Sequence, residues 1–148
     1  MKNLIYVAII TFLVSGCASK NMYKPSAEWD KTTLAKVHVY RTTTFYHSLN
    51  PEKPFFYIDG AKIGKLGTGD AISIDVLAGP HTISVKEPIM FMPAYESESI
   101  NFEAVASKEY FIRYSKEFSG IITGGTSVVT TDDSSIQMSD KSSYINRE

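Results

Sequence analysis

The chain has 148 residues and a formal net charge of -1, from 15 basic and 16 acidic side chains. That is one domain's worth of core, and a near-neutral chain without a basic stripe is not built for nucleic acid. Its single cysteine, Cys17, excludes a disulfide framework, and nine Tyr and eight Phe favour strands over a helix bundle.

The N-terminus reads as a leader. Met1-Lys2-Asn3 is basic, Leu4 to Val14 is apolar apart from Thr11, and Ser15, Gly16, Cys17, Ala18 and Ser19 are small. These are the three parts of a secretory signal peptide. The apolar run is about half of the roughly 20 residues that a spanning helix needs. The sequence Leu13-Val14-Ser15-Gly16-Cys17 resembles the lipobox of bacterial lipoproteins. That resemblance implies removal of a signal peptide over residues 1–16. It also implies acyl chains on Cys17: a diacylglyceryl thioether on the sulfur and a further chain, such as palmitate, on the amine. One chain binds a membrane only marginally, whereas two or three hold firmly. Ala18 stands where the family's sorting rule would put Asp for inner-membrane retention. The expected address is therefore the outer membrane, facing the periplasm.

Residues 17–34 are polar, include Pro25, and read as the lipidated N-terminus and a tether, with Tyr23 and Trp29 available to dock. A sandwich domain is expected over residues 35–131. In Lys36 to Arg41, Val37, Val39 and Arg41 share one face and His38 and Tyr40 the other, which is a strand pattern. Phe55 to Ile58 is a short apolar strand, and Asp59-Gly60 is a hairpin turn signal. Ala61 to Leu66 returns, with Gly64 marking a bulge or a close backbone approach. Gly67 to Asp70 turns, and Ala71 to Val76 alternates with Ile72, Ile74 and Val76 inward. Ala78-Gly79-Pro80 turns again, and His81 to Lys86 places Ile83 and Val85 inward.

Pro88 and Pro93 bracket the apolar stretch Ile89-Met90-Phe91-Met92, read as a loop. Glu96 to Glu103 alternates around Ile100 and Phe102. Tyr110, Ile112 and Tyr114 share a strand face, and Thr126 to Thr131 is a candidate last strand. Residues 132–148 form a polar tail, either loose or one short helix. No apolar stripe of helical period runs for twelve residues. Seven or eight short strands with tight turns point to a single antiparallel β-sandwich, wetted on its outer faces.

The order of these signals resembles a family of small bacterial lipoproteins known as DUF2846, with a further likeness to PEGA-type β modules. The matching stretches are Val37 to Arg41, Tyr57 to Leu66, Leu77 to Ile83 and Glu109 to Arg113. Gly79-Pro80 reverses the usual Pro-Gly order. The resemblance implies an immunoglobulin-like or PEGA-like sandwich and carries no catalytic residues.

Few residue sets carry chemistry. His38, His47 and His81 match no short metal motif, and a zinc site needs three or four convergent ligands. No metal or cofactor is expected. Gly64 to Gly69 lacks the Gly-Lys-Ser/Thr ending of a phosphate loop, and no Gly-x-Ser-x-Gly elbow occurs. The pairs Asp59/Asp70 and Glu96/Glu98 read as turn and face residues. No catalytic set is expected, so the chain is read as a non-enzyme. Two surfaces keep functional weight. Met90, Phe91 and Met92 form a partner-docking patch if exposed, and an edge strand or core plug if not. Tyr46, His47 and Tyr57 line a ligand groove, or else fill one end of the sandwich.

The expected function is a membrane-anchored periplasmic lipoprotein acting as an interaction or envelope-structural module. The alternative is a small-ligand or glycan-binding lipoprotein. The expected partners are the membrane, through Cys17, and another envelope protein, with no nucleic acid.

Overall fold

The computed structural model describes residues 22–43, 53–124 and 127–147. Cys17, the leader, Tyr46 and His47 lie outside the described residues. Eight strands form among those described: β1 (Leu34–Arg41), β2 (Phe55–Ile58), β3 (Ala61–Lys65), β4 (Ala71–Leu77), β5 (Gly79–Ile89), β6 (Met92–Ala104), β7 (Glu109–Gly124) and β8 (Ser127–Ser139). A 3₁₀ turn, Lys31–Thr33, leads into β1, and one helix, α1 (Lys141–Asn146), follows β8.

The strands make two four-stranded sheets, ordered β4-β1-β7-β8 and β3-β2-β5-β6. The fold is an all-β sandwich. Period-two alternation sends Val37, Val39, Phe56, Ile58, Val76, Ile83, Val85 and Ile112 into one shared core, all fully buried. Most ladders are antiparallel, but β1 pairs with β7 in parallel, with Val37 beside Tyr110 and Val39 beside Ile112.

The turns anticipated from sequence sit where the chain changes sheet or direction. Asp59 and Gly60 both have positive φ and join β2 to β3. The single residue Ala78 separates β4, in the first sheet, from β5, in the second. Gly79, at φ 137, makes that corner in a conformation side chains rarely adopt. Gly64 proves to be both a bulge neighbour and a close approach. The β2–β3 register slips between Phe56 and Tyr57. A Cβ on Gly64 would lie 2.4 Å from Ile72 Cδ1 on β4.

At the two ends of the domain the options left open by the sequence are resolved: Tyr23 docks and a short helix forms near the C-terminus. Met22 bridges Lys62 on β3, the Tyr23 amide donates to the Lys62 carbonyl at 2.9 Å, and the Tyr23 hydroxyl donates to the Asp75 carbonyl on β4 at 2.6 Å. The tether expected to run to residue 34 therefore docks at Met22 and Tyr23, while residues 24–28 are exposed. At the other end, the boundary expected at 131 falls inside β8, which pairs with β7 as far as Ser139. The serine and aspartate content of 132–135 hid this strand. It is an edge strand, where polar residues are the rule, and among its described side chains Ile136 packs against the core cluster.

Helix α1 then folds back over the first sheet. Asp140 caps it by accepting from the Ser143 amide at 2.9 Å. Tyr144 packs its ring against His38, Tyr40 and Phe111 at centroid distances of 4.9, 5.5 and 5.2 Å. Tyr40 is thus fully buried although it points away from the core between the sheets.

Candidate functional site

The apolar stretch between Pro88 and Pro93 is a hairpin tip rather than a loop. Ile89 pairs with Met92, and Pro88 with Pro93, so the two strands run to the end. Pro93 is tolerated because β6 is an edge strand. The two-residue turn is Met90-Phe91, with φ of 51° and 65°. Positive φ at both positions marks a type I′ turn, where Asn-Gly is the favoured pair. A side chain held there costs roughly 1–2 kcal/mol per residue. The turn is also open to solvent: Met90 is 81% and Phe91 64% exposed, and Ile89, Met92 and Tyr95 beside them are exposed too. Backbone strain and exposed apolar surface coincide here, as they do at contact sites.

The tip does not stand alone. Register shifts after Val85 and after Glu87 bend the β5–β6 ribbon. Phe91, Met92 and Pro93 then line a cleft of about 480 Å³ together with Phe55, Tyr57, Lys62 and Lys65. Strand parity explains the floor. Phe56 and Ile58 enter the core, so Phe55 and Tyr57 face outward from the second sheet. Their opposite neighbours on β3 are Lys65 and Lys62. The Lys62 and Lys65 ammonium groups lie 4.4 and 4.3 Å from the Phe55 ring centre, and Lys86 lies 5.1 Å from that of Tyr57. These are cation–π distances, and they leave Phe55 almost fully covered. Burial pushes the Tyr57 phenol above its ordinary pKa, so it stays neutral. Among the described residues no acidic side chain lines the cleft.

A second polar arrangement lies inside the sandwich near the same end. Arg41 on β1, Glu87 on β5 and Tyr114 on β7 are all buried. The Tyr114 hydroxyl donates to Glu87 across the two sheets, and Lys116 reaches the same carboxylate at 3.4 Å. Arg41 donates to the Leu66 carbonyl at 3.3 Å. Burial first, and the Glu87 charge second, push the Tyr114 phenol well above its ordinary value; burial lowers that of Arg41. This network ties the two sheets together. Sequence reading did not assemble it. The signal was parity: Arg41 follows Val37 and Val39, Glu87 follows Ile83 and Val85, and Tyr114 follows Tyr110 and Ile112.

The two described histidines, His38 and His81, are held as strand and corner residues. His38 Nδ1 is 2.7 Å from Ser73 Oγ, and the ring stacks on Phe111. His81 places Nδ1 2.7 Å from Asp59 Oδ2 and Nε2 2.8 Å from the Leu77 carbonyl oxygen, bracing the β4–β5 corner. One has a serine and the other an acid; neither has both. Asp59 and Asp70 lie at opposite ends of the sandwich, since Asp59 bonds Thr82 and the Asp70 carbonyl accepts from Arg41. Among the described residues no group of three or more His, Cys, Asp or Glu converges as a metal site. A second cleft, of about 550 Å³, lies between Trp29 and the starts of β1 and β7, and carries charges of both signs.

The structure therefore merges parts of two surfaces that the sequence kept separate. Tyr57, from the expected groove, shares one cleft with Phe91 and Met92 of the expected docking patch, and Met90 stands at its tip. Phe55, Lys62 and Lys65 are its unforeseen members; the outward parity of β2 and β3 was the available clue.

These features define the class: a two-sheet β-sandwich domain carrying a cationic, aromatic cleft under an apolar hairpin tip. Residues 31–126 match the family model described as protein of unknown function (DUF2846), and the chain belongs to that family. No curated protein and no solved structure matches the chain.

Proposed function

We propose that this DUF2846 protein is a lipid-anchored component of the bacterial envelope, held by acyl chains on Cys17, which works by surface contact rather than by turnover. The anchor reading is supported by the lipobox-like Leu13 to Cys17 behind a short apolar core. The outer membrane, periplasmic side, is its proposed location, by the residue Ala18. The contact reading is carried by one observation: Met90 and Phe91 hold positive φ while exposed at a hairpin tip. A turn selected for stability alone would carry Asn-Gly.

A second reading, capture of a small anionic ligand or glycan, is supported by the cleft itself, where aromatic faces and lysines meet.

Two measurements test the proposal. A fatty-acid probe should label the wild type and spare Cys17→Ser; equal labelling removes the anchor. A photo-crosslinking residue placed at position 91 should trap an envelope component in cells. Absence of any adduct there, with adducts at control positions, removes the tip as the contact surface.

A further inference from the structure

The tip and cleft lie on the side of the domain from which the anchor segment departs. Met22 bridges Lys62, and Lys62 lines the cleft. Only residues 18–21 separate Met22 from Cys17. Fully extended, that span reaches roughly 17 Å. One strand spacing, about 4.8 Å, then separates Met22 from Lys62. An acylated Cys17 thus holds the cleft wall within about 22 Å of its lipid, by the same dimensions.

The chemistry of that face suits a bilayer interface. Ile89, Met90, Phe91 and Met92 are exposed and contiguous at the hairpin tip. Lys62 and Lys65 line the cleft behind it, with no acid among its described lining residues, and Lys86, paired across the ribbon with Glu96, lies over Tyr57. Tyr57 and Tyr95 add amphipathic rings, the kind enriched at membrane interfaces. A short apolar insertion backed by basic side chains is the pattern of interfacial membrane binding. Lysine stems also lie along apolar surface while their charge reaches outward.

We infer that the Met90-Phe91 tip inserts into the anionic phospholipid surface of the membrane that anchors the chain, with Lys62, Lys65 and Lys86 on the headgroups. The inference rests on the anchored reading above and deepens it. The domain then has two attachments and a fixed orientation, with the cleft facing lipid and the Trp29 end directed away.

The test uses the lipidated protein purified from cells. Cys17 is the single cysteine, so an acylated chain has no free thiol until one is introduced. Met90→Cys and, as a control at the opposite end, Val105→Cys are labelled with an environment-sensitive dye. Both are reconstituted into vesicles carrying nitroxide lipids, with or without phosphatidylglycerol in phosphatidylcholine. Strong quenching at residue 90 in phosphatidylglycerol vesicles, and little at residue 105, is expected. Each of Lys62→Gln and Lys65→Gln should lower the ratio of quenched to unquenched protein about fivefold. No quenching at residue 90, or equal quenching in pure phosphatidylcholine, overturns the inference while leaving the anchor intact. Dye uptake by the unsubstituted chain shows a free Cys17 and overturns the anchor and this inference together. Both substituted positions are exposed turn residues, and an unchanged urea midpoint confirms that each variant is folded.

Discussion

The Tyr23 hydroxyl donates to the Asp75 carbonyl at 2.6 Å while the Tyr23 amide donates to the Lys62 carbonyl, so one residue closes the open edge between β3 and β4. The two sheets have no strand in common on that side. Tyr23→Phe should cost about 1 kcal/mol, the net value of one hydrogen bond. Tyr23→Ala should cost more, because the half-buried ring also packs against the core cluster. Urea unfolding measures both. Equal stability of Tyr23→Ala and wild type would mean that the segment contributes nothing to the fold.

The Tyr114–Glu87 contact makes stability depend on alkaline pH. Burial and the Glu87 charge raise the folded phenol above its ordinary value of 10.0. The unfolded chain therefore ionises first. The contribution is complete below about pH 10 and falls by about 1.4 kcal/mol per pH unit above it, until the folded value is reached. Tyr114→Phe should lose this slope. It should also cost about 1.5–3 kcal/mol near neutrality, because the acceptor is a charged group. Urea midpoints taken between about pH 9 and about pH 11 give both numbers.

The strained tip predicts a trade of stability against contact. Met90→Asn combined with Phe91→Gly supplies the residues a type I′ turn favours. The pair should raise stability by about 1–2 kcal/mol and abolish the adduct read from a photo-crosslinking residue moved to the neighbouring position 92. A double variant that is less stable than wild type would show that the exposed side chains hold the hairpin.

Gly64→Ala brings a Cβ to 2.4 Å from Ile72 Cδ1. Overpacking of this kind costs about 1–3 kcal/mol, toward the low end where a side-chain end can move. Ile72→Val removes the clashing methyl, so the two substitutions together should be more stable than the sum of their separate effects. A double-mutant cycle with no coupling would place the cost in the bulge backbone.

The middle of the fold was legible because one rule, alternation, governs it: Val37 and Val39, Ile72 to Val76, and Ile83 and Val85 all fall on the faces their parity assigned. Asp59-Gly60 was legible because its turn chemistry is local. The ends were not. Tyr23 is ordered by a carbonyl 52 residues away, and Ser134 and Ser135 belong to a strand only because β7 lies beside them. The cleft was half legible. Tyr57, Phe91 and Met92 were singled out, but the bent ribbon that brings them together arises from two register shifts that no single stretch of sequence encodes.

The parallel pairing of β1 has a consequence for the order of assembly. Val37 faces Ile74 on one side and Tyr110 on the other. The centre of the first sheet cannot close until the chain beyond Tyr110 is present. Long loops must be drawn together before pairing repays their lost freedom, which makes such topologies slow to fold. A fragment ending before β7 is then not a smaller sandwich: it keeps every strand of the second sheet but leaves the first with β4 and β1 alone, the inner edge of β1 bare.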